Sequence, residues 1–368
     1  MEQHVLDLVK TMNTQLNRVY VWCCDGEIVQ WYKDAGAQVT TRNIGFDLDP
    51  FYIFRLATFL KKEKIEIIHA HELKAVINAL IAAKIAGVPV MVSHTHTPIS
   101  TWKVAKFKRR INTVIYSFIV NLLANTEIAL TESRRNIKIE EGISEFKLKV
   151  IPNALDTTKL DIPFDYKLNY RNEIRKKYNI PSNAFLFGNI SRLTEEKGHE
   201  ILVRAFITFL KYSIPDKEKI YLLIAGGGKL EEYIKTIVTH EGLEKRVFIT
   251  GVFDATDLVK FYSAFDAFVF PSLAEGFGIV LIEAMYAELP IVCSDLEVFR
   301  EVGGSAVFYF ETSNQTDLAE KMLSLYQKKD LLEKLTNNAR NRVEKLYTLE
   351  KFADSYSQLY TNLLETRK

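Results

Sequence analysis

The sequence predicts an α/β protein of two doubly wound domains, on three observations. Short apolar runs alternate with apolar-periodic helical stretches along almost the whole chain. The alternation breaks once, in a tyrosine- and charge-rich segment at residues 157–180, and then restarts. In the second half, glycine-bearing loops follow the apolar runs, as they do where parallel strands hand over to helices at a ligand-binding edge. At 368 residues the chain is long enough for two hydrophobic cores.

Taken in order, residues 2–17 read as a helix with Val5, Leu6, Leu8, Val9 and Met12 on its apolar face, followed by a strand at Arg18–Trp22. Strands at Gln38–Thr41, Ile65–His69 and Val88–Ser93 then alternate with helices at Asp49–Glu63 and Lys74–Ala86, the latter stopping on Gly87. The stretch from Ile111 to Ala124 is strongly apolar, but it contains Asn112, Ser117 and Asn121 and is shorter than the roughly 20 residues of a membrane span. It is expected to be a buried helix. A strand at Glu127–Leu130, a helix at Ser133–Glu140 and a strand at Lys147–Ile151 complete the first half.

The break at 157–180 is read as a hinge plus a short helix. Beyond it the strands are Phe185–Ile190, Ile220–Ala225, Val247–Thr250, Ala267–Phe270, Ile291–Ser294 and Ala306–Tyr309. The helices are Gly198–Lys211, Leu230–His240, Ala255–Ser263, Gly278–Ala287, Asp317–Gln327 and Leu331–Lys345. A last amphipathic helix, Leu349–Leu364, carries Phe352, Tyr356, Leu359, Tyr360 and Leu363 at helical spacing and needs an apolar surface to cover.

Composition narrows the function. With 48% hydrophobic and 26% charged residues the balance is that of a soluble globular protein. Cys23, Cys24 and Cys293 have neither zinc-site spacing nor the number of a disulfide framework, so a reducing compartment is expected. The first residues lack a signal-peptide pattern. The formal net charge of +2 hides an asymmetry, since residues 1–157 carry 20 Lys+Arg against 16 Asp+Glu. No acidic residue lies between Leu73 and Thr126, and within that region Trp102, Lys103, Lys106, Phe107, Lys108, Arg109 and Arg110 interleave cations with aromatics. That composition suits an anionic membrane surface or a polyanionic ligand, and it equally describes a solvated helix end. No zinc-finger, RRM or helix-turn-helix pattern is present, so nucleic acid is not an expected partner.

Three loops carry residue types with chemistry in them. From Pro271 to Glu283 a strand, a tight loop and a helix start follow one another, with Gly276 and Gly278 in the turn and Glu275 and Glu283 bracketing it. Two such carboxylates can grip separated hydroxyls of one extended ligand; alternatively, one is favoured by the helix dipole and the other is a satisfied buried glutamate. From Gly188 to Gly198, Arg192 offers a planar fork and Lys197 a point charge, a pair suited to a diphosphate or to an ordinary solvated turn. Gly226, Gly227 and Gly228 follow the next strand. Since each loop leaves a strand's carboxyl end, all three are expected to converge on one crevice. In the first half, His94 and His96 follow a strand end, whereas His69 and His71 are expected to be structural and His199 to face solvent.

Read together, RLTEEKG, the triple glycine, PSLAEGFGIVLIEAM and PIVCSD, with IPNALD at 151–156, resemble the retaining family 4 glycosyltransferases of the GT-B fold. The resemblance implies two Rossmann-like domains facing a central cleft: 1–156 for the acceptor, 157–347 for a nucleotide sugar, and a helix at 348–368 crossing back to the first. It implies that Arg192 and Lys197 hold the diphosphate, Glu275 the sugar hydroxyls and Glu283 the ribose. Gly188, Gly226, Gly227, Gly228, Val252, Gly276, Phe277 and Gly278 would line the same donor site. His96, with Arg192, Lys197 and Glu275, makes the expected catalytic set. His94 joins the acceptor side, with the basic stretch 102–110 on a lipid-linked acceptor or the membrane.

The same resemblance implies no metal and no cofactor beyond the nucleotide-sugar co-substrate. The reducing compartment and the missing signal pattern make a cytoplasmic location the expectation, and the basic stretch 102–110 makes the inner face of the membrane a candidate place within it. Family members open on a strand and a GGxE loop. Here Glu2 stands where that glutamate would, so the first sheet is expected to lack its central strand. Glu288 stands where a glycine is common. Two other readings are a sugar-nucleotide 2-epimerase of the same architecture and a noncatalytic sugar-nucleotide-binding scaffold.

Overall fold

The computed structural model describes residues 1–13, 17–102, 104–212, 214–327 and 329–366, apart from the side chains of 329–334. The chain divides into two compact units, Met1–Ala154 with Leu349–Lys368, and Leu155–Thr348.

The first unit runs α1 (Glu2–Met12), β1 (Tyr20–Cys23), α2 (Ile28–Asp34), β2 (Gln38–Thr41), α3 (Pro50–Lys62), β3 (Ile67–His71), α4 (Leu73–Ala86), β4 (Val90–His94), α5 (Lys106–Leu123), β5 (Thr126–Ala129), α6 (Glu132–Glu140) and β6 (Leu148–Val150). Its strands form two parallel sheets, β1-β2 and β3-β4-β5-β6. Among the described residues β1 pairs only with β2, and β3 only with β4.

Helix α3 starts where the sequence says it must. The Asp49 carboxylate accepts the Tyr52 amide at 3.0 Å and Pro50 occupies the first turn, where its missing N–H costs nothing. Helix α4 stops on Gly87 in the left-handed conformation (φ 75°).

Helix α5 departs from expectation. It begins at Lys106 rather than Ile111, and it is not a buried helix: Phe107, Ile111, Val114, Phe118 and Leu122 are exposed, while Tyr116 and Val120 face the core. Its apolar residues are spread around most of the helix, and α4 can cover only one side.

The second unit runs α7 (Phe164–Lys177), β7 (Phe185–Ile190), α8 (His199–Phe209), β8 (Ile220–Ala225), α9 (Glu231–His240), β9 (Val247–Ile249), α10 (Leu258–Ala264), β10 (Ala267–Phe270), α11 (Ile279–Tyr286), β11 (Ile291–Ser294), α12 (Glu297–Gly303), β12 (Phe308–Phe310), α13 (Gln315–Gln327) and α14 (Lys329–Leu346). One parallel sheet holds its six strands in the order β12-β11-β10-β7-β8-β9. Strands β10 and β11 are buried at every residue, as continuous apolar runs in a parallel sheet covered on both faces must be. From β7 the chain winds outward in one direction through β8 and β9, then returns to β10 and winds the other way. The switch point therefore lies between β7 and β10, where their following loops diverge.

The expected hinge is largely helix α7, and it is pinned. Arg171 and Arg175 each donate to a different oxygen of Asp266 at 2.7 Å, and the buried Arg175 also reaches the carbonyls of Ala184 and Ala264. The charge of this segment thus serves internal docking. The short helices α2 and α12 fall in stretches the sequence left as loop, because seven residues give too little periodicity to read. The last helix, α15 (Leu349–Glu365), belongs to the first unit. Phe352, Tyr356 and Leu359 pack with Val90, Val92 and Ile128 of its sheet.

Candidate active-site residues

In the second unit, the loops after β7 and β10 meet at the switch point. Gly198 has φ 68°, and a Cβ there would lie 2.1 Å from the Pro271 carbonyl oxygen, so only glycine lets the RLTEEKG turn approach the PSLAEG loop this closely. The Leu273 amide donates to the Glu196 carbonyl at 2.7 Å across the same junction. The approach brings the Lys197 ammonium onto the Glu275 carboxylate as an ion pair, with the Ser272 hydroxyl donating to Glu275 Oε1 at 3.0 Å. Both side chains are mostly covered, at 17% and 12% exposure. Arg192, by contrast, is exposed, and its charge acts on the neighbouring Glu196.

Glu283 lies on α11, with its Oε2 accepting the Tyr262 hydroxyl at 2.8 Å. Burial raises its pKa first, against the lowering effect of the Tyr262 hydrogen bond. Val252 is 89% exposed beside Gly227, where a Cβ would meet the Val252 amide nitrogen at 2.8 Å.

The glycines mostly serve packing. Gly188 lies within β7, and a Cβ there would fall 2.2 Å from the Phe265 ring. That packing by itself accounts for a glycine at this position. Gly226 and Gly228 seat the β8–α9 loop against the Ser191 and Leu193 backbone, and Gly278 (φ 92°) clears Phe299. Gly276 is half-buried in the loop, and Phe277 is buried with its ring on Tyr347.

His199 is buried, not solvent-facing. As the first residue of α8 it is turned inward onto the Ser191 hydroxyl (Nε2 to Oγ 2.9 Å), and burial lowers its pKa to about 4.

In the first unit, five of the seven histidines of the chain gather. His94 and His96 stack with ring centroids 3.9 Å apart, and His69 and His71 lie 4.3 Å apart on the neighbouring strand β3. His4, on α1, lies edge-on to His71, His94 and His96 at 5.5, 4.8 and 4.8 Å. His71 Nδ1 and His96 Nε2 are 3.3 Å apart, and His69 Nδ1 is 2.8 Å from the Tyr360 hydroxyl. Burial holds all five neutral, lowering His4 to about 4 and the others further. His96 is thus a poor proton acceptor and a sound neutral hydrogen-bonding group.

Two carboxylates missed in the sequence support this cluster. Glu72, at φ 70° and ψ 156°, occupies a region nearly confined to glycine. Its amide donates to the His94 carbonyl at 2.9 Å, and its carboxylate accepts the His96 amide at 3.3 Å. The fully buried Glu127 pairs with the buried Lys138 and accepts the Thr95 amide (3.3 Å) and the Tyr116 hydroxyl (3.0 Å). Lys138 in turn donates to the Thr95 carbonyl at 2.9 Å. The only advance signal was a glutamate inside an apolar strand.

Of the basic stretch, Lys106, Lys108 and Arg110 are exposed, and Lys103 lies outside the described residues. Trp102 and Arg109 are half-buried and bond within the chain. The indole donates to the Thr97 carbonyl (3.2 Å) and the ring packs on the core, while Arg109 donates to the Trp102 carbonyl (3.3 Å).

Two family models match the chain: Glycosyltransferase Family 4 over residues 1–159 and Glycosyl transferases group 1 over residues 170–342. Among curated proteins, the UDP-Gal:alpha-D-GlcNAc-diphosphoundecaprenol alpha-1,3-galactosyltransferase of Escherichia coli is 26% identical over 333 residues, 88% of this chain and 82% of that one. The capsular polysaccharide biosynthesis glycosyltransferase CapM of Staphylococcus aureus is 24% identical, over 94% of this chain and 90% of that one. Among solved structures, Anabaena Alr3699/HepE in complex with UDP matches with a TM-score of 0.84 at 21% identity, covering 98% of this chain and 96% of that one. The two domain matches, the two α/β units with parallel sheets and these relatives agree: the chain belongs to the family 4 glycosyltransferases of the GT-B fold.

Proposed function

We propose that this glycosyltransferase moves a sugar, with retention of configuration, from a nucleoside diphosphate sugar to a lipid-linked saccharide in cell-surface polysaccharide or glycolipid assembly. The observation that carries the donor half is the Lys197–Glu275 pair with Ser272 at the β7/β10 switch point, with the exposed Arg192 on the same loop as Lys197. A relative named for a UDP-galactose donor and a diphosphoundecaprenol acceptor, and a fold neighbour solved with UDP, support the substrate classes.

In this reading Arg192 and Lys197 neutralise the diphosphate as charge develops on it, which removes the need for a metal at the donor. Glu275 takes sugar hydroxyls once a donor phosphate competes for Lys197, and Glu283, oriented by Tyr262, takes the ribose hydroxyls. The acceptor oxygen attacks the anomeric carbon on the face from which the diphosphate leaves. The new C–O bond forms as the old one breaks, and the acceptor proton passes to the departing phosphate oxygen. His96 would position the acceptor by hydrogen bonding.

The outward stripe of α5, headed by Lys106, Lys108 and Arg110, gives the first unit the chemistry of an interfacial helix on an anionic membrane. No helix among the described residues is long and apolar enough to cross one.

The test is product analysis with a panel of nucleotide sugars and a short-chain lipid diphosphate saccharide. An α-linked product from an α-donor is expected; an inverted product, or free epimerised donor without acceptor, would overturn the reading.

A further inference from the structure

Three of the clustered histidines turn ring nitrogens toward one another, and those of His94 are left without a hydrogen bond. One ring nitrogen from each of His4, His71 and His94 lies within 4.8 Å of the other two. His94 is fully buried, yet neither of its ring nitrogens has a hydrogen-bond partner among the described residues. A buried polar atom left without a partner destabilises a fold, so one that is kept calls for an explanation.

The surroundings are those of a ligand set. His4 Nδ1 is 2.7 Å from Asn153 Oδ1, which places the proton on Nδ1 and leaves the lone pair on Nε2, with the Tyr356 hydroxyl 3.3 Å away. A side-chain carbonyl that fixes the tautomer of an imidazole is the usual outer partner of a metal-bound histidine. The nearby Lys138 cation is offset by its pair with Glu127, and the half-buried His71 leaves a way in from solvent.

We infer that His4, His71 and His94 bind one first-row divalent transition metal, of the zinc class, which ties α1 to the carboxyl ends of β3 and β4. Three imidazoles suit zinc, cobalt, nickel or copper rather than magnesium or calcium. Ligand atoms about 2.0–2.1 Å from zinc stand roughly 3.4 Å apart in a tetrahedron, so binding would draw the three nitrogens inward by about 1 Å. No spacing motif marks this set, because its ligands come from α1 and from the ends of β3 and β4. The inference does not depend on the sugar-transfer reading.

The experiment uses the full chain, stripped with a chelator and titrated with Zn2+ and with Co2+ alone, without nucleotide or acceptor. The expected result is one ion per chain by elemental analysis, a thermal midpoint raised by several degrees, and visible absorption bands of tetrahedral Co2+. His71→Ala and His94→Ala should each weaken binding at least a hundredfold, and His240→Ala, on the exposed face of α9, should leave it unchanged. Loss of the buried His94 ring can itself unfold the unit, so His71→Ala, shown folded by circular dichroism, carries the comparison. A folded wild-type chain that takes up no ion, or uptake that survives His71→Ala unchanged, would overturn the assignment.

Discussion

Lys197 and Glu275, one from the loop after β7 and one from the loop after β10, are ion-paired, with Ser272 donating to the same carboxylate oxygen. On the proposed reading, the free protein holds the cation meant for the donor phosphate on the carboxylate meant for the sugar. A donor phosphate that displaces Glu275 from Lys197 frees the carboxylate for hydroxyls, which couples the two ends of the ligand. Glu275→Gln should therefore leave nucleoside diphosphate affinity within about threefold while lowering turnover of the nucleotide sugar at least a hundredfold. Titration calorimetry against steady-state rates separates the two effects.

Acid should destabilise the fold in a defined window. Burial depresses His4 and His199 to about 4, below the value of about 6.5 in an unfolded chain. Between these values the unfolded chain binds more protons, so the stability is fully present above about pH 6.5 and is lost as pH falls toward 4. Each group accounts for on the order of 3 kcal/mol over that range. Urea unfolding from pH 7 to pH 4.5 should show this fall, and His199→Gln should flatten it for the second unit.

Glu288 has φ 62°, in the left-handed region where a side chain is strained, at a position where a glycine was expected. Its contacts with Arg340 (3.4 Å) and Lys167 (3.6 Å) are partly exposed and weak. Glu288→Gly should stabilise the second unit by about 0.5–1 kcal/mol, read as an upward shift of the thermal midpoint.

The same position shows how far the sequence could be read. The donor-site side of the fold was legible because its loops follow strands whose apolar runs are unbroken, so β7, β8, β10 and β11 have the bounds expected of them. Lys197, Glu275 and Glu283 could be named as candidates, but the pairing of the first two could not. The Lys197–Glu275 contact depends on Gly198 closing onto Pro271, a contact between distant parts of the chain. The histidine cluster was half legible. His94 and His96 announced themselves after a strand, whereas His4, Glu72 and Glu127 lie in stretches whose periodicity says only helix or strand. Helix α5 misled because apolar content says nothing about which face a neighbour covers.

The exposed face of α5 should bind lipid. Phe107 is 78% and Phe118 63% exposed, so replacing both with Ser removes apolar surface without disturbing the core. Phe107→Ser/Phe118→Ser should reduce sedimentation with phosphatidylglycerol vesicles at least tenfold while leaving circular dichroism and donor affinity unchanged. Binding that persists would move the membrane contact elsewhere.

The central claim is that the loops after β7 and β10, with Glu283, form a nucleotide-sugar site. Calorimetric titration of the chain with UDP-, GDP- and ADP-sugars, beside Lys197→Ala and Glu283→Ala, tests it most directly. One nucleotide class should bind, and each substitution should weaken it at least tenfold, or about 1.4 kcal/mol. Binding that both variants retain at full strength, or no binding by a folded wild-type chain, would contradict it.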